Sequence, residues 1–500
     1  MICISVTPAS RTFAKVDLLN AARQCDVVEL CLDRLVKEPD VGDLIAGVNK
    51  PVMVSCRRKR DGGQFEGTDD QRLGILRQAI VAAPAYIELD YEAAQSIPRF
   101  GSTKRVIAYT SLKDAYSKED IEEIFTEAKQ LNGDIIKFTW PTPTLEAAWP
   151  LLAAVAKKRE MPAVGLGLGK AGVTFSLLGR KYGSPWIYAA LEKGMEAFDE
   201  QTTVLELDEI YGWREIDKTT MFIGVVGMGG SEIVTTQCFN KVFRRLKLNA
   251  RCLPLMSHDF GRLKTILDSL KINAVVTSRH VGDQMVALAD DLEESARVSQ
   301  YSDLLLRKKD SWQAWNAGWR SAVKMIEQTV SSSGNDKRPL DKQNVLVVGS
   351  GSFARSMVYG ISKRKGLVSV TAPDDKEAQN LATQFDVRFV PFQHLYNTLA
   401  DVVVFAEPGL ASGSSKSEFN PSYLAARMTV CDATEMPFDS VFTAEARGRG
   451  SKVVEPKLIY ADLLSAQIKS ITGKDVPAEE FTETIEAAVD AQRVERDPVI

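Results

Sequence analysis

The stretch SKEDIEEIFTEAKQLNGDIIKFT at residues 117–139 decides the fold. Its first part, SKEDIEEIFTEAKQL (117–131), is amphipathic at helical spacing. Ser117 stands at the N-cap, and acidic residues fill the first turn, where they meet the positive end of the helix dipole. Its second part, DIIKFT (134–139), is a short run that is apolar on both faces except for Lys137. A helix that feeds such a strand is the repeating unit of a parallel sheet, whose strands are covered by helices on both sides. Outward from this stretch the unit recurs. The other runs are MICISVT (1–7), VVELCLD (27–33), VMVSCR (52–57), YIELDY (86–91), RVIAYT (105–110) and PAVGLGLG (162–169), with a weaker one in SPWIYAAL (184–191). About eight such units in roughly 210 residues fit a closed (β/α)8 barrel better than an open sheet. In that architecture chemistry sits at the C-terminal ends of the strands, and Lys137 is read here as ending the strand DIIK.

Beyond the barrel, YGWREIDKTT (211–220) is polar and aperiodic and marks a boundary. A fresh strand, MFIGVVG (221–227), opens a second alternating region that runs to residue 330. SSSGNDKRPLDK (331–342) reads as a hinge. NVLVVGSGSFA (344–354) then carries a buried strand into G-x-G-x-x-A and a helix. Gly349 permits the tight turn, Gly351 allows a pyrophosphate close to the backbone, and Ala354 lets the helix pack near the strand. This is a Rossmann-type unit with NAD or NADP as the expected cofactor. The next strand, LVSVTAPDD (367–375), ends at Asp374. Asp374 could accept from the ribose of NAD or simply cap the following helix, and no arginine stands nearby to receive a 2′-phosphate. The expected domains are 1–212, 221–330, 343–465 and a helical tail, 466–500, that packs back on the second domain.

Composition narrows the function classes. A chain of 500 residues with 45% hydrophobic and 26% charged residues is an ordinary globular protein of two or three domains. A net charge of −4 gives no nucleic-acid footprint. No apolar run reaches the roughly 18 residues of a membrane span, and MICISVTP reads as a strand rather than a signal peptide. Seven scattered cysteines, never spaced as CxxC, point to a reducing cytoplasm with neither disulfides nor a metal site. The three histidines are His258, His280 and His394, so none lies in the barrel region.

Five motifs, VVELCLDRL (27–35), CRRKRDGGQFEG (56–67), GDIIKFT (133–139), VLVVGSGSFARS (345–356) and DATEMP (432–437), share an order and spacing with a known fusion. Residues 1–210 resemble a type I 3-dehydroquinate dehydratase, and residues 221–500 resemble a shikimate dehydrogenase. The resemblance implies an N-terminal barrel followed by a two-part shikimate-dehydrogenase-like module with a Rossmann domain. It implies Schiff-base dehydration of a cyclic hydroxy or keto acid at Lys137, then reduction with NADP or NAD. Glu29, Asp33, Arg57, Asp61 and Gln201 match positions around the family's substrate. Three of the barrel candidates have a plainer reading beside the catalytic one: a buried ion pair for Glu29, a solvated basic loop for Arg57, an inherited polar residue for Lys137.

The chain also departs from both family patterns. Cys31 stands where the dehydratase motif has arginine, Ser111 where it has its histidine, and Phe175-Ser176 where it has the Ser-Arg clamp, with Arg180 one turn on. A missing general base costs about 10²–10⁴-fold, so a weak dehydratase is expected, or none on the usual substrate. In the second half, the shikimate-binding serines fall on Ile233 to Thr236, leaving Thr235 as a hydroxyl candidate. The catalytic lysine falls on His280, its partner aspartate on Gly318, and an intervening asparagine near Asp303. His280 with Asp303 could form a substitute dyad, or His280 could be a surface histidine. Asn316 is the remaining substrate-binding candidate. The competing functions are a degenerate metabolite- or partner-binding relative and an enzyme on a changed substrate; the oligomeric state is left open.

Overall fold

The computed structural model describes residues 1–35, 39–277, 281–331, 338–407, 410 and 419–496. The chain divides into two compact units. The first is Met1–Met221 with Lys247–Ser269, and the second is Phe222–Leu246 with Leu270–Ile500. The expected cut after residue 212 therefore differs in one respect: Lys247–Ser269 cluster with the first unit.

The first unit is a nearly closed parallel barrel. Its strands are β1 (Ile2–Val6), β2 (Val27–Cys31), β3 (Val52–Ser55), β4 (Tyr86–Asp90), β5 (Lys104–Thr110), β6 (Ile135–Pro141), β7 (Ala163–Leu168) and β8 (Ile187–Ala190). They are hydrogen-bonded in the order β7-β6-β5-β4-β3-β2-β1-β8. The helix Lys118–Gln130 starts at Ser117, whose hydroxyl accepts from Asp120 N while the Asp120 carboxylate accepts from Ser117 N. β6 runs on past Lys137 to Pro141, so the lysine lies inside its strand rather than at the end of it. The reason is apolar packing on the outer face: Phe138 meets Trp140 edge-on and Phe125 at a tilt, and Trp140 Nε1 donates to Ala147 O.

Alternation along the strands sets the interior. Cys3, Val27, Met53, Ile135 and Trp186 form an apolar cluster with half-buried Tyr86. Two residues further on along five of those six strands come Ser5, Glu29, Ser55, Glu88 and Lys137. A period of two keeps them on the inner face, one level nearer the C-terminal ends.

The second unit contains two sheets. In the first, β9 (Met221–Val226), β11 (Ala274–Thr277), β13 (Leu304–Lys308), β14 (Ser311–Trp315) and β12 (Asp291–Leu292) lie side by side, with β13 antiparallel to both neighbours. β10 (Ala250–Leu255) is in the segment that clusters with the barrel. The other sheet is all parallel. It comprises β15 (Asn344–Val348), β16 (Leu367–Thr371), β17 (Arg388–Phe389), β18 (Val402–Phe405), β19 (Thr429–Asp432) and β20 (Lys452–Val454). Its order, β17-β16-β15-β18-β19-β20, is the doubly wound order of Rossmann sheets. The helix Pro456–Thr472 crosses residue 466, so no boundary falls there. The last helix, Thr482–Arg496, lies against Gly230–Arg245, and Glu483 pairs with Lys241.

Candidate active sites

The polar level of the barrel is a closed ion network. Lys137, 1% exposed, donates from Nζ to Glu88 Oε2 at 2.8 Å and lies 4.0 Å from Glu29 Oε1. Arg57 Nε donates to Glu88 Oε1 at 2.7 Å, and Arg57 Nη2 donates to Glu29 Oε1. Glu29 also accepts from Ser5 Oγ at 2.6 Å and Ser55 Oγ at 2.8 Å. The aromatic rings add cation–π support: Lys137 Nζ stands 4.5 Å from the Tyr188 centroid, and Arg57 Cζ 5.5 Å from that of Phe198. Two cations and two carboxylates thus cancel within a desolvated interior, the condition under which buried charges persist.

The titration of these groups follows from that arrangement. Burial lowers the Lys137 pKa below its ordinary 10.5, Arg57 lowers it further, and Glu88 opposes both. For Glu88, burial pushes the carboxyl up, but the charges of Arg57 and Lys137 outweigh it and hold it at about 2. Cys31, in the place of the family arginine, accepts from Arg57 Nη1 at 3.6 Å, and burial keeps its thiol protonated.

Lys137, Glu29 and Arg57 are therefore together. The plainer reading of Arg57 as a solvated loop residue is corrected, since it is buried among carboxylates; Arg58 and Arg60 are the loop residues, and both pair with Glu92. Gln201 accepts from Ala197 N at 3.3 Å, while its Nε2 is buried without a partner. Thr139 Oγ1, two residues past Lys137, is also buried and unpartnered. Asp33 accepts from Gln64 N and lines a groove of about 1290 Å³ walled by loops after β1, β2 and β3. Asp61 pairs with Arg58. Ser111 Oγ accepts from Asp114 N and caps a surface turn. Arg180 lies in the last turn of the helix Gly172–Tyr182, 5.9 Å from the Trp213 centroid and close enough to depress the Met1 amine. It is thus near the N-terminal end of the barrel and cannot replace a substrate clamp at the other end. Glu88 was not among the expected site residues. Its signal was present: a charge at an inward position of YIELDY.

The second unit has a cleft of about 460 Å³ lined by Glu232, Thr235, Thr277, Asp303, Tyr460 and Gln467, among others. Thr235 Oγ1 shares a hydrogen bond with the Tyr460 hydroxyl. Asp303 accepts from Ala317 N through both oxygens and from Gly318 N, so its carboxylate anchors the start of the helix Gly318–Val330. Burial nevertheless raises its pKa to about 6. His280, its suggested partner, lies outside the described residues. Asn316 is corrected: fully buried, it donates to Ser299 Oγ and Ser356 Oγ and is not on the cleft wall. Gln467, missed from sequence, donates to Asp303 O at 3.2 Å and has a buried, unpartnered Oε1.

The glycine turn has the backbone a dinucleotide requires. Gly349 adopts φ 136°. Gly351 caps the helix Ser352–Lys363, with open space where a Cβ would stand, and Ala354 is fully buried. The charge around the turn fits less well, because Glu407 Oε2 accepts from Ser350 N at 2.9 Å. Asp374 Oδ1 accepts from Lys376 N and Glu377 N, which makes it the N-cap of the helix Asp375–Phe385. Among the described residues no group of three or more His, Cys, Asp or Glu side chains is arranged to hold a metal ion. Among them, too, no helix is long and apolar enough to cross a membrane.

A parallel barrel centred on a buried lysine, joined to a Rossmann module, defines a two-module α/β enzyme. Residues 2–218 match the type I 3-dehydroquinase family. The chain is 22% identical over 477 residues to the chloroplastic bifunctional 3-dehydroquinate dehydratase/shikimate dehydrogenase of Arabidopsis thaliana, covering 91% of this chain and 79% of that one. It is 29% identical over 224 residues to the 3-dehydroquinate dehydratase of Methanocaldococcus jannaschii, covering 43% of this chain and 99% of that one. Solved structures with likeness include the dehydroquinate dehydratase and shikimate dehydrogenase of S. pombe, at 14% identity and TM-score 0.44 over 97% of this chain and 98% of that one. Another is the shikimate dehydrogenase of Aquifex aeolicus, at 18% identity and TM-score 0.48 over 54% of this chain and 99% of that one. Residues 2–218 thus match the type I 3-dehydroquinase family, and the chain as a whole is similar to a fused 3-dehydroquinate dehydratase/shikimate dehydrogenase.

Proposed function

We propose that this chain is a bifunctional enzyme of the shikimate-pathway class. The barrel dehydrates 3-dehydroquinate through a Schiff base on Lys137, and the second half reduces the product with NADP or NAD, one or both activities being weakened. The observation that carries the reading is the buried Lys137 amine on its carboxylate network. Glu88, at 2.8 Å, holds the Lys137 ammonium in place, while burial and the Arg57 charge ease the loss of its proton to solvent. The free amine attacks the substrate ketone, the carbonyl oxygen leaves as water, and the iminium draws electrons from the adjacent C–H bond. Loss of that proton and then of the β-hydroxyl, as water, leaves a conjugated iminium, which one water hydrolyses to the enone and the free Lys137 amine. Gln201 Nε2 and Thr139 Oγ1 are buried donors free for a hydroxylated ring. No histidine precedes His258, so the proton transfer lacks the usual group and the reaction is slow by about 10²–10⁴-fold.

In the second half, Thr235 and Gln467 line the cleft, while Asp303 anchors one wall. NADP or NAD is the cofactor proposed at Gly349, Gly351 and Ala354; it supplies hydride when bound. The absence of a cation at Ala372–Asp374 favours NAD. Seven buried cysteines suit a reducing compartment, and we place the protein in the cytoplasm with domains at 1–212 and 221–330 and a Rossmann domain from 343 whose helix Pro456–Thr472 leads into the C-terminal tail. The test is borohydride reduction in the presence of 3-dehydroquinate, followed by peptide mass spectrometry. A reduced adduct on Lys137 is expected; its absence with this and other cyclic keto acids overturns the reading.

A further inference from the structure

The Rossmann sheet reverses its strand order between β15 and β18. Ligands of doubly wound sheets bind outside the carboxyl ends of the strands at such a switch point. Two loops meet there. The Gly349-Ser350-Gly351 turn follows β15, and Ala406-Glu407 follows β18. Their backbones are tied by Ala406 N donating to Val348 O at 3.0 Å. Glu407 is seated directly on the turn: a Cβ built on Gly349 would stand 2.8 Å from Glu407 Cβ and 3.1 Å from Glu407 N. From that seat its carboxylate takes the Ser350 N–H at 2.9 Å. The Gly349 N–H is also engaged, by Thr371 O at 2.8 Å. Among the described residues no lysine or arginine pairs with Glu407, and Arg355, in the first turn of the helix that follows the glycine turn, donates from Nε to Ser299 O.

A turn of this kind attracts phosphate because its N–H groups and the helix dipole present positive charge to an empty space. Here a carboxylate of the same chain already draws on that charge. We infer that Glu407 is an internal anion that competes with the diphosphate of a nicotinamide dinucleotide, and that it sets the cofactor affinity of the second half. An incoming diphosphate must displace the Glu407 side chain from Ser350 or bind beside a like charge, and either costs affinity. The inference rests on the reading of the second half as a dinucleotide-dependent reductase.

The experiment is a titration of NADH and NADPH into the full chain, read by nicotinamide fluorescence and by calorimetry. Wild type is compared with Glu407→Gln, which keeps an acceptor for Ser350 N and removes the charge, and with Glu407→Ala, which removes both. Thermal melting checks that each variant folds. Binding at least about tenfold tighter in a folded variant is expected, from loss of a like charge within a few ångströms of the phosphates. Equal, measurable binding by wild type and the folded variants overturns the inference and leaves the reductase reading standing. No binding by any of them to millimolar cofactor overturns both.

Discussion

Replacing Glu88 with Gln removes one of four charges from the barrel network without changing its shape. Glu88 is the acid nearest Lys137, at 2.8 Å, and it also receives Arg57 Nε at 2.7 Å. Those cations hold its carboxyl at about 2, against an ordinary 4.5. That difference favours the ionised, paired form by about 3 kcal/mol, at roughly 1.4 kcal/mol per pH unit. Breaking a buried ion pair from one side typically costs about 3–5 kcal/mol, which agrees. The variant has one route of relief: Lys137 can release its proton, which brings the expected loss to the lower end, about 3 kcal/mol near neutral pH.

The sign of the pH dependence is definite. A carboxyl with a depressed folded pKa contributes stability in full above its ordinary pKa and loses it as pH falls through the folded value. The gap between wild type and Glu88→Gln should therefore be full above pH 5 and shrink between about 4.5 and 2. Guanidinium unfolding of the full chain, followed by circular dichroism and tryptophan fluorescence across that range, measures it. A gap below about 1 kcal/mol at pH 7, or one unchanged down to pH 2, refutes the assignment of Glu88 as the counter-charge of the network.

Three further perturbations read other parts of the structure. Gly349→Ala forces an L side chain to φ 136° against Glu407 and should lower stability by about 1–3 kcal/mol, seen as a fall in melting temperature. Asp303→Asn removes a buried carboxyl whose pKa is raised to about 6 from 3.8, so ionisation costs wild type about 3 kcal/mol of stability as pH rises through that window. Wild type should therefore lose stability relative to the variant between pH 4 and pH 6.5, measured by melting at both; parallel profiles argue against the assignment. Gly63→Ala places a Cβ 2.2 Å from Arg57 O, which must shift the loop that holds Arg57. It should lower stability by about 1–3 kcal/mol and reduce the yield of borohydride-trapped adduct, both measurable on the same preparation.

The architecture was legible because two periods recur along the chain: apolar runs short enough for strands and amphipathic stretches long enough for helices. The motif glycines were legible for a related reason, since Gly349 occupies a backbone conformation closed to other residues. What stayed hidden depended on contacts between distant segments. Asn316 reads as a polar site candidate, yet its partners Ser299 and Ser356 lie on other elements that only the fold brings to it. Asp374 had two readings from sequence, and helix geometry has it capping Lys376 and Glu377. Glu407 sits 58 residues beyond Gly349, and nothing in its own surroundings AEPG marks it; the switch point of the sheet does. The clustering of Lys247–Ser269 with the barrel follows the same rule.

The charge balance of the barrel bears on the Schiff base proposed at Lys137. Arg57 and Lys137 offset Glu29 and Glu88, so the network is neutral when Lys137 is protonated. A Schiff base at Nζ, protonated as the iminium, carries the same single positive charge. The carboxylates that stabilise the resting ammonium therefore also stabilise the electron sink, and the low-dielectric interior strengthens both effects. Only the neutral amine between them is disfavoured by the network, and burial together with Arg57 works against that penalty by lowering the ammonium pKa. Glu88→Gln separates the two roles. Without Glu88 the amine forms more readily, so borohydride trapping with 3-dehydroquinate should begin at lower pH than in wild type. The iminium also loses its nearest counter-charge, so the trapped fraction at its plateau should be smaller. A variant that traps to a higher plateau than wild type would show that Glu88 opposes the intermediate, and the argument from charge balance would fail.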